Sequence, residues 1–113
     1  MEPRLPAHLE VTALIRAVTA EGGFAAVLSK GEKEAGTILV VLAHNGADSR
    51  IYERMPDLAG NRTWTLSRRQ DPEKPFEFRD YLARREAQDP DVWIVELDIA
   101  KGERFIGAPP DQG

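Results

Sequence analysis

Residues 24–67 carry four short apolar runs separated by turn residues, and a segment of helical periodicity stands on either side of them. This patterning restricts the chain to a small α+β fold whose sheet is built mainly from antiparallel neighbours. A fifth apolar run follows the second helical segment. The expected order is α-β-β-β-β-α-β. At 113 residues the chain makes one domain, large enough to bury a core without metal or disulfide support. Residues 1–106 are assigned to that domain, and residues 107–113, rich in proline and glycine, to a disordered tail.

Local signals place the elements. Val11, Leu14, Ile15 and Val18 repeat at helical spacing, and Gly22-Gly23 supplies the stop, so the first helix is expected over residues 8–21. Strands are expected over residues 24–30, 37–44, 49–55 and 62–69. Gly31 and Gly36 bracket a turn read as a hairpin between the first two. Asn45-Gly46 is a strong hairpin signal between the second and third. Pro75 suits the first turn of a second helix, on which Phe78, Tyr81, Leu82 and Arg85 share a face, and Asp89-Pro90 ends it. The last strand is expected over residues 92–99. The second and last strands are apolar on both faces, as central strands are.

Alternation along the strands divides their residues between two faces. A two-residue loop at Asn45-Gly46 pairs Val40 with Ile51 and a four-residue loop pairs Leu42 with Ile51, with the same division of faces, whereas a three-residue loop would invert it. One face then holds Ile38, Val40, Leu42, Ile51 and Met55, extended by Phe24, Ala26, Leu28, Trp64, Leu66, Trp93, Val95 and Leu97. The other holds Leu39, Val41, Arg50, Tyr52 and Arg54, with Ala25, Val27, Ser29, Thr63, Thr65, Ser67, Val92 and Ile94. Five strands span about 24 Å, and two helices of about 10 Å each cover one such face. The expectation is therefore a two-layer sandwich, both helices on one face and the other face open.

Chemistry-bearing motifs are sparse. There is no cysteine, which removes disulfides, thiolate nucleophiles and thiolate metal sites. Gly22-Gly23 follows a helix and precedes a strand, the reverse of a phosphate loop. His8 and His44 are the two histidines, and neither assembles a metal site or a catalytic triad by spacing. Glu96 and Asp98 share a strand face, as Mg²⁺ ligands or an acid–base pair would. Solvation of the strand end is the simpler account of them. Arg50, Tyr52 and Arg54 form the strongest recognition cluster, two guanidinium forks flanking a ring able to stack. No catalytic residue, metal or cofactor is called for. The formal charge of −4 disfavours nucleic acid as a partner. No apolar run approaches membrane-spanning length, so a cytoplasmic protein is expected.

Several stretches together resemble a known group. They are Arg4-Leu5-Pro6-Ala7, Gly22-Gly23-Phe24-Ala25, Lys30-Gly31, Ala35-Gly36-Thr37-Ile38-Leu39, Tyr52-Glu53-Arg54-Met55, Trp64-Thr65-Leu66, Gln70-Asp71-Pro72, and Asp89-Pro90-Asp91 through Glu96-Leu97-Asp98. In this order the chain resembles the short bacterial proteins, mainly of alphaproteobacteria, grouped as domain-of-unknown-function family 1491. The resemblance implies a compact cytosolic bacterial protein and carries over no activity, cofactor or catalytic residue. The functional expectation is protein association, as a homodimer or with a protein partner, through the open face or an edge of the sheet. The alternative is a module binding a small anion or nucleotide through Arg50, Tyr52 and Arg54. A metal-assisted hydrolase using Glu96 and Asp98 ranks behind both.

Overall fold

Local backbone signals act as expected in the computed structural model, which describes residues 5–56, 59 and 62–109. The elements are α1 (Ala7–Ala20), β1 (Phe24–Ser29), β2 (Ile38–His44), β3 (Ala47–Pro56), β4 (Arg62–Arg69), α2 (Pro75–Gln88) and β5 (Trp93–Asp98). A short 3₁₀ turn, Gly102–Phe105, follows β5 and has no counterpart among the expected elements. The Gly22 and Gly23 N–H groups donate to the Thr19 and Val18 carbonyls and close α1. Asn45 and Gly46 both take positive φ, 53° and 76°, as a tight two-residue hairpin requires. The N-terminal residues 1–4, the turn residues 57, 58, 60 and 61, the side chains of Met55 and Pro56 and the tail residues 110–113 lie outside the described residues.

The five strands form one sheet in the order β1-β5-β2-β3-β4. Among the described residues the β2–β5 pair is parallel, and β1–β5, β2–β3 and β3–β4 are antiparallel. The α+β class and the mainly antiparallel sheet therefore stand as expected. The hairpin between β1 and β2 does not form, because β5 lies between them. β5 is apolar on both faces and takes the interior position, where its two sides find strand partners. Gly31 belongs to this insertion: a Cβ there would come within 2.1 Å of the Asp91 carbonyl oxygen. The 31–36 loop thus passes hard against the entry to β5, where Trp93 Nε1 donates to the Glu32 carbonyl at 2.7 Å.

The expected two-layer arrangement is overturned, because the helices lie on opposite faces. On one face Ala7, Val11 and Val18 of α1 pack with Ile38, Val40, Leu42, Tyr52, Trp93, Val95 and Leu97. On the other, Phe78, Tyr81 and Leu82 of α2 pack with Leu39, Val41, Ile51, Val92 and Ile94. Six consecutive β2 residues, 38–43, are buried. A strand that apolar on both sides needs cover on both sides, and one helix on each face supplies it.

The face assignment of β3 is corrected as well. The hairpin pairs His44 with Ala47, as a two-residue loop dictates, but the register then shifts, so that Val41 opposes Ile51 and Val40 opposes Tyr52. Asp48 carries the irregularity with a φ of 56°. One extra residue in a strand sends every later side chain to the other face. Ile51 consequently joins Leu39 and Val41, while Arg50, Tyr52 and Arg54 join the α1 side. β1 is inverted for a different reason: pairing Ala25 with Leu97 places this small residue in the core of the α1 face. Phe24, Ala26 and Leu28 then turn to the α2 face.

Candidate functional site

The residues expected to form a binding surface are divided between the two faces. Leu39 and Val41 are fully buried beneath α2, so the open face assigned to them does not exist. Arg50 and Tyr52 lie under the C-terminal segment on the α1 face. Glu103 Oε2 accepts from Arg50 Nε at 3.1 Å and from Tyr52 Oη at 3.1 Å, and stands 2.9 Å from Arg50 Nη2. Arg50 Nη1 donates to the Asp48 carbonyl at 2.7 Å, bracing the bulge that set the register. Arg50, Tyr52 and Glu103 are all more than nine-tenths buried. Burial, and then the Glu103 carboxylate, raise the Tyr52 pKa above that of a free phenol. The cluster pins the segment that brings Ile106 and Ala108 into the core; the Glu103 carbonyl also accepts the Ile106 and Ala108 N–H groups.

Arg54 is matched by Glu10 of α1 in a bidentate pair, 2.6 and 2.7 Å, and its guanidinium lies 4.7 Å from the Trp64 ring centroid. This fork–fork geometry ties α1 to β3. A parallel arrangement holds α2. Glu53 accepts from Tyr81 Oη at 2.6 Å and from Arg85 Nη1, and Arg68 stacks over Tyr81 at 4.5 Å. Burial pushes the Glu53 pKa up, but hydrogen bonds from Tyr81, Arg85 and Ser67 outweigh it, and the net shift is downward. Arg50, Arg54 and Arg85 thus each face a carboxylate, and the recognition cluster expected on β3 works as clamps between layers. Glu103, Glu10, Tyr81 and Arg85 are the partners that a strand-by-strand account of β3 leaves out. They come from elements 28 or more residues away along the chain.

Glu96 and Asp98 do share the α2 face. Asp98 accepts the Asn45 and Gly46 N–H groups at 2.7 and 2.9 Å, which stabilises the β2–β3 turn. Among the described residues no group of three or more His, Asp or Glu side chains is placed to hold a metal ion. His8 Nδ1 lies 3.0 Å from the Lys33 carbonyl oxygen, tying α1 to the 31–36 loop, and His44 Nε2 lies 3.4 Å from Asn45 Nδ2, its chain neighbour.

The geometry leaves one part of the sheet without cover. α1 lies over β1 and β5, and α2 sits over β2, β3 and β5 on the opposite side. Among the described residues no helix covers the α2 side of β1. Phe24 is 60% exposed, Leu28 50% and, on the α1 side, Val27 42%. β1 ends the sheet, so half of its backbone groups point outward. Residues 22–29 contain no charged side chain. The other edge, β4, carries Arg62, Arg68 and Arg69, which protect it against further pairing. Beside β1, Leu28, Glu96, Phe76, Phe78, Arg79 and Leu82 help line a cleft of about 410 Å³, and Phe76 at its rim is 73% exposed. The uncharged run from Gly22 to Ser29 is the sequence signal for this surface. It identifies an edge only once β5 is known to separate β1 from β2.

A family model described as "Protein of unknown function (DUF1491)" matches residues 5–107. The crystal structure of a DUF1491 family protein from Caulobacter crescentus CB15 is similar, with a TM-score of 0.79 and 29% identity over 96% of this chain and 100% of that one. The solution structure of a protein from A. tumefaciens is similar too, with a TM-score of 0.76 and 28% identity over 96% of this chain and 98% of that one. No curated protein matches. No helix among the described residues is long and apolar enough to cross a membrane. The match over nearly the whole chain, together with the shared fold, makes this protein a member of the DUF1491 family.

Proposed function

We propose that the protein acts by association, accepting an additional strand along the outer edge of β1. The carrying observation is the contrast between the two edges. β1 presents six uncharged residues, Phe24–Ser29, with Phe24, Val27 and Leu28 exposed, whereas β4 is guarded by arginines. An unprotected apolar edge of about 20 Å attracts extended chains through backbone hydrogen bonds, and flanking apolar side chains add selectivity. The clamps on both faces support a rigid sheet, which keeps that edge in place.

A peptide of residues 22–31 titrated into the ¹⁵N-labelled protein tests this function. Amide shifts confined to β1 and its neighbours in β5, with slowed exchange of the outward β1 amides, are expected. The double variant Phe24→Lys, Leu28→Lys, which charges two exposed positions, is expected to abolish the response. Perturbations centred on β4, or none at millimolar peptide, would refute it.

A further inference from the structure

We infer that the strand added at β1 is β1 of a second copy, paired antiparallel about a two-fold axis through Ala26; this rests on the edge function proposed above. The first support is self-complementarity. A two-fold antiparallel pair of strands keeps the same face of each sheet upward, so directly opposed residues must share a face. Centring the axis on Ala26 satisfies this: Phe24 meets Leu28 of the mate, and Ala25 meets Val27. The pairs within the regular ladder, Ala25–Val27 and Ala26–Ala26, are apolar, and Phe24 and Leu28 flank them. The register shift at Leu28 bends the end of each strand and leaves Phe24–Val27 as the regular ladder.

Charge placement is the second support. Glu21 precedes the uncharged run and Lys30 follows it. Antiparallel pairing about Ala26 brings the Lys30 end of each strand toward the Glu21 end of the mate, and the two-fold repeats this contact. Parallel addition would instead set Lys30 beside Lys30. Glu21 is 2.7 Å from Arg104, an exposed pair that leaves the carboxylate open to a second cation.

Helix geometry is the third. α1 packs on β1 and β5, at the edge of the sheet. Joining the edges about a two-fold axis normal to the sheet then sets the two α1 helices on the same face, side by side across the seam. The flank of α1 that faces this seam is the one opposite Glu10, Ala13 and Ala17. By helical spacing it carries His8, Thr12, Ile15 and Thr19, without an acidic or permanently charged side chain. The Thr12 and Thr19 hydroxyls already donate to the His8 and Ile15 carbonyls and need no new partners. A seam of one strand edge and one helix flank per copy falls at the low end of specific interfaces, so the dimer is reversible and dependent on concentration.

Absence of cysteine makes the symmetry testable directly. Ala26→Cys places the sole thiol on the axis, where the opposed Cα atoms stand about 5 Å apart, within disulfide range. Mild oxidation is expected to link this variant to itself at least tenfold faster than Ala83→Cys on exposed α2. Sedimentation of the unmodified protein over a hundredfold concentration range is expected to show the mass rising from 12.6 kDa toward twice that value. The Phe24→Lys, Leu28→Lys variant is expected to stay monomeric and folded by circular dichroism. A monomer at every concentration would overturn the self-pairing, even if the 22–31 peptide still binds at β1 and the edge function survives. A dimer indifferent to the two lysines would overturn both. A dimer lost in that variant but without preferential Ala26→Cys linkage would overturn the Ala26 axis.

Discussion

Glu103→Ala is the sharpest perturbation of the fold as described. It removes the one carboxylate that Arg50 and Tyr52 share, at a site where the Arg50 and Glu103 side chains are 9% and 7% exposed. The buried guanidinium would keep the Asp48 carbonyl but lose the carboxylate that balances its charge, a situation that costs about 3–5 kcal/mol. Against a total of roughly 5–15 kcal/mol for a domain this size, that is a large fraction. With a urea m-value of about 2 kcal/mol/M, the midpoint should fall by about 2 M. Glu21→Ala is the control: its pair with Arg104 is half exposed, and such pairs contribute about 0–1 kcal/mol. Urea unfolding followed by circular dichroism measures both. Replacing the pair together, Arg50→Met with Glu103→Leu, should recover most of the loss, because neither charge is then stranded. Hydrogen exchange should also quicken at Ile106 and Ala108, whose N–H groups bond to the Glu103 carbonyl, as the segment loosens. If Glu103→Ala costs no more than Glu21→Ala, the buried clamp is not holding the segment and the reasoning fails.

Two further outcomes follow from the α2 face. The folded-state pKa of Glu53 is lowered, so its contribution is complete above the unfolded carboxyl value of about 4.3 and disappears as pH falls through the folded one. Glu53→Gln should therefore be less stable than the parent at pH 7, with the gap closing below about pH 4; urea midpoints showing a constant gap from pH 7 to 3 would contradict this. Val41→Lys would force an ammonium beneath Phe78 and Leu82 at a position 1% exposed, and should cost more than about 4 kcal/mol. A thermal melt unchanged by Val41→Lys would show that α2 does not cover β2.

The order of elements was legible in the sequence because its determinants are local. Gly22-Gly23 ends a helix, Asn45-Gly46 turns a hairpin and Pro75 opens a helix through steric and hydrogen-bond effects within a few residues. The continuous apolar run of residues 38–43 even announced that β2 is covered on both sides, a signal that tells against a single helical layer. What the tertiary structure alone decided is partnership. The insertion of β5 between β1 and β2 joins segments some seventy residues apart, and no local preference specifies it. Asp48 shows how little separates the alternatives: one residue in a left-handed conformation exchanges the faces of Ile51 and Tyr52. Arg50, Tyr52 and Arg54 were visible as chemistry, yet their acceptors, Glu103 and Glu10, lie in distant elements brought near by packing. Side-chain type is written residue by residue, whereas face, neighbour and exposure are properties of the assembled layers.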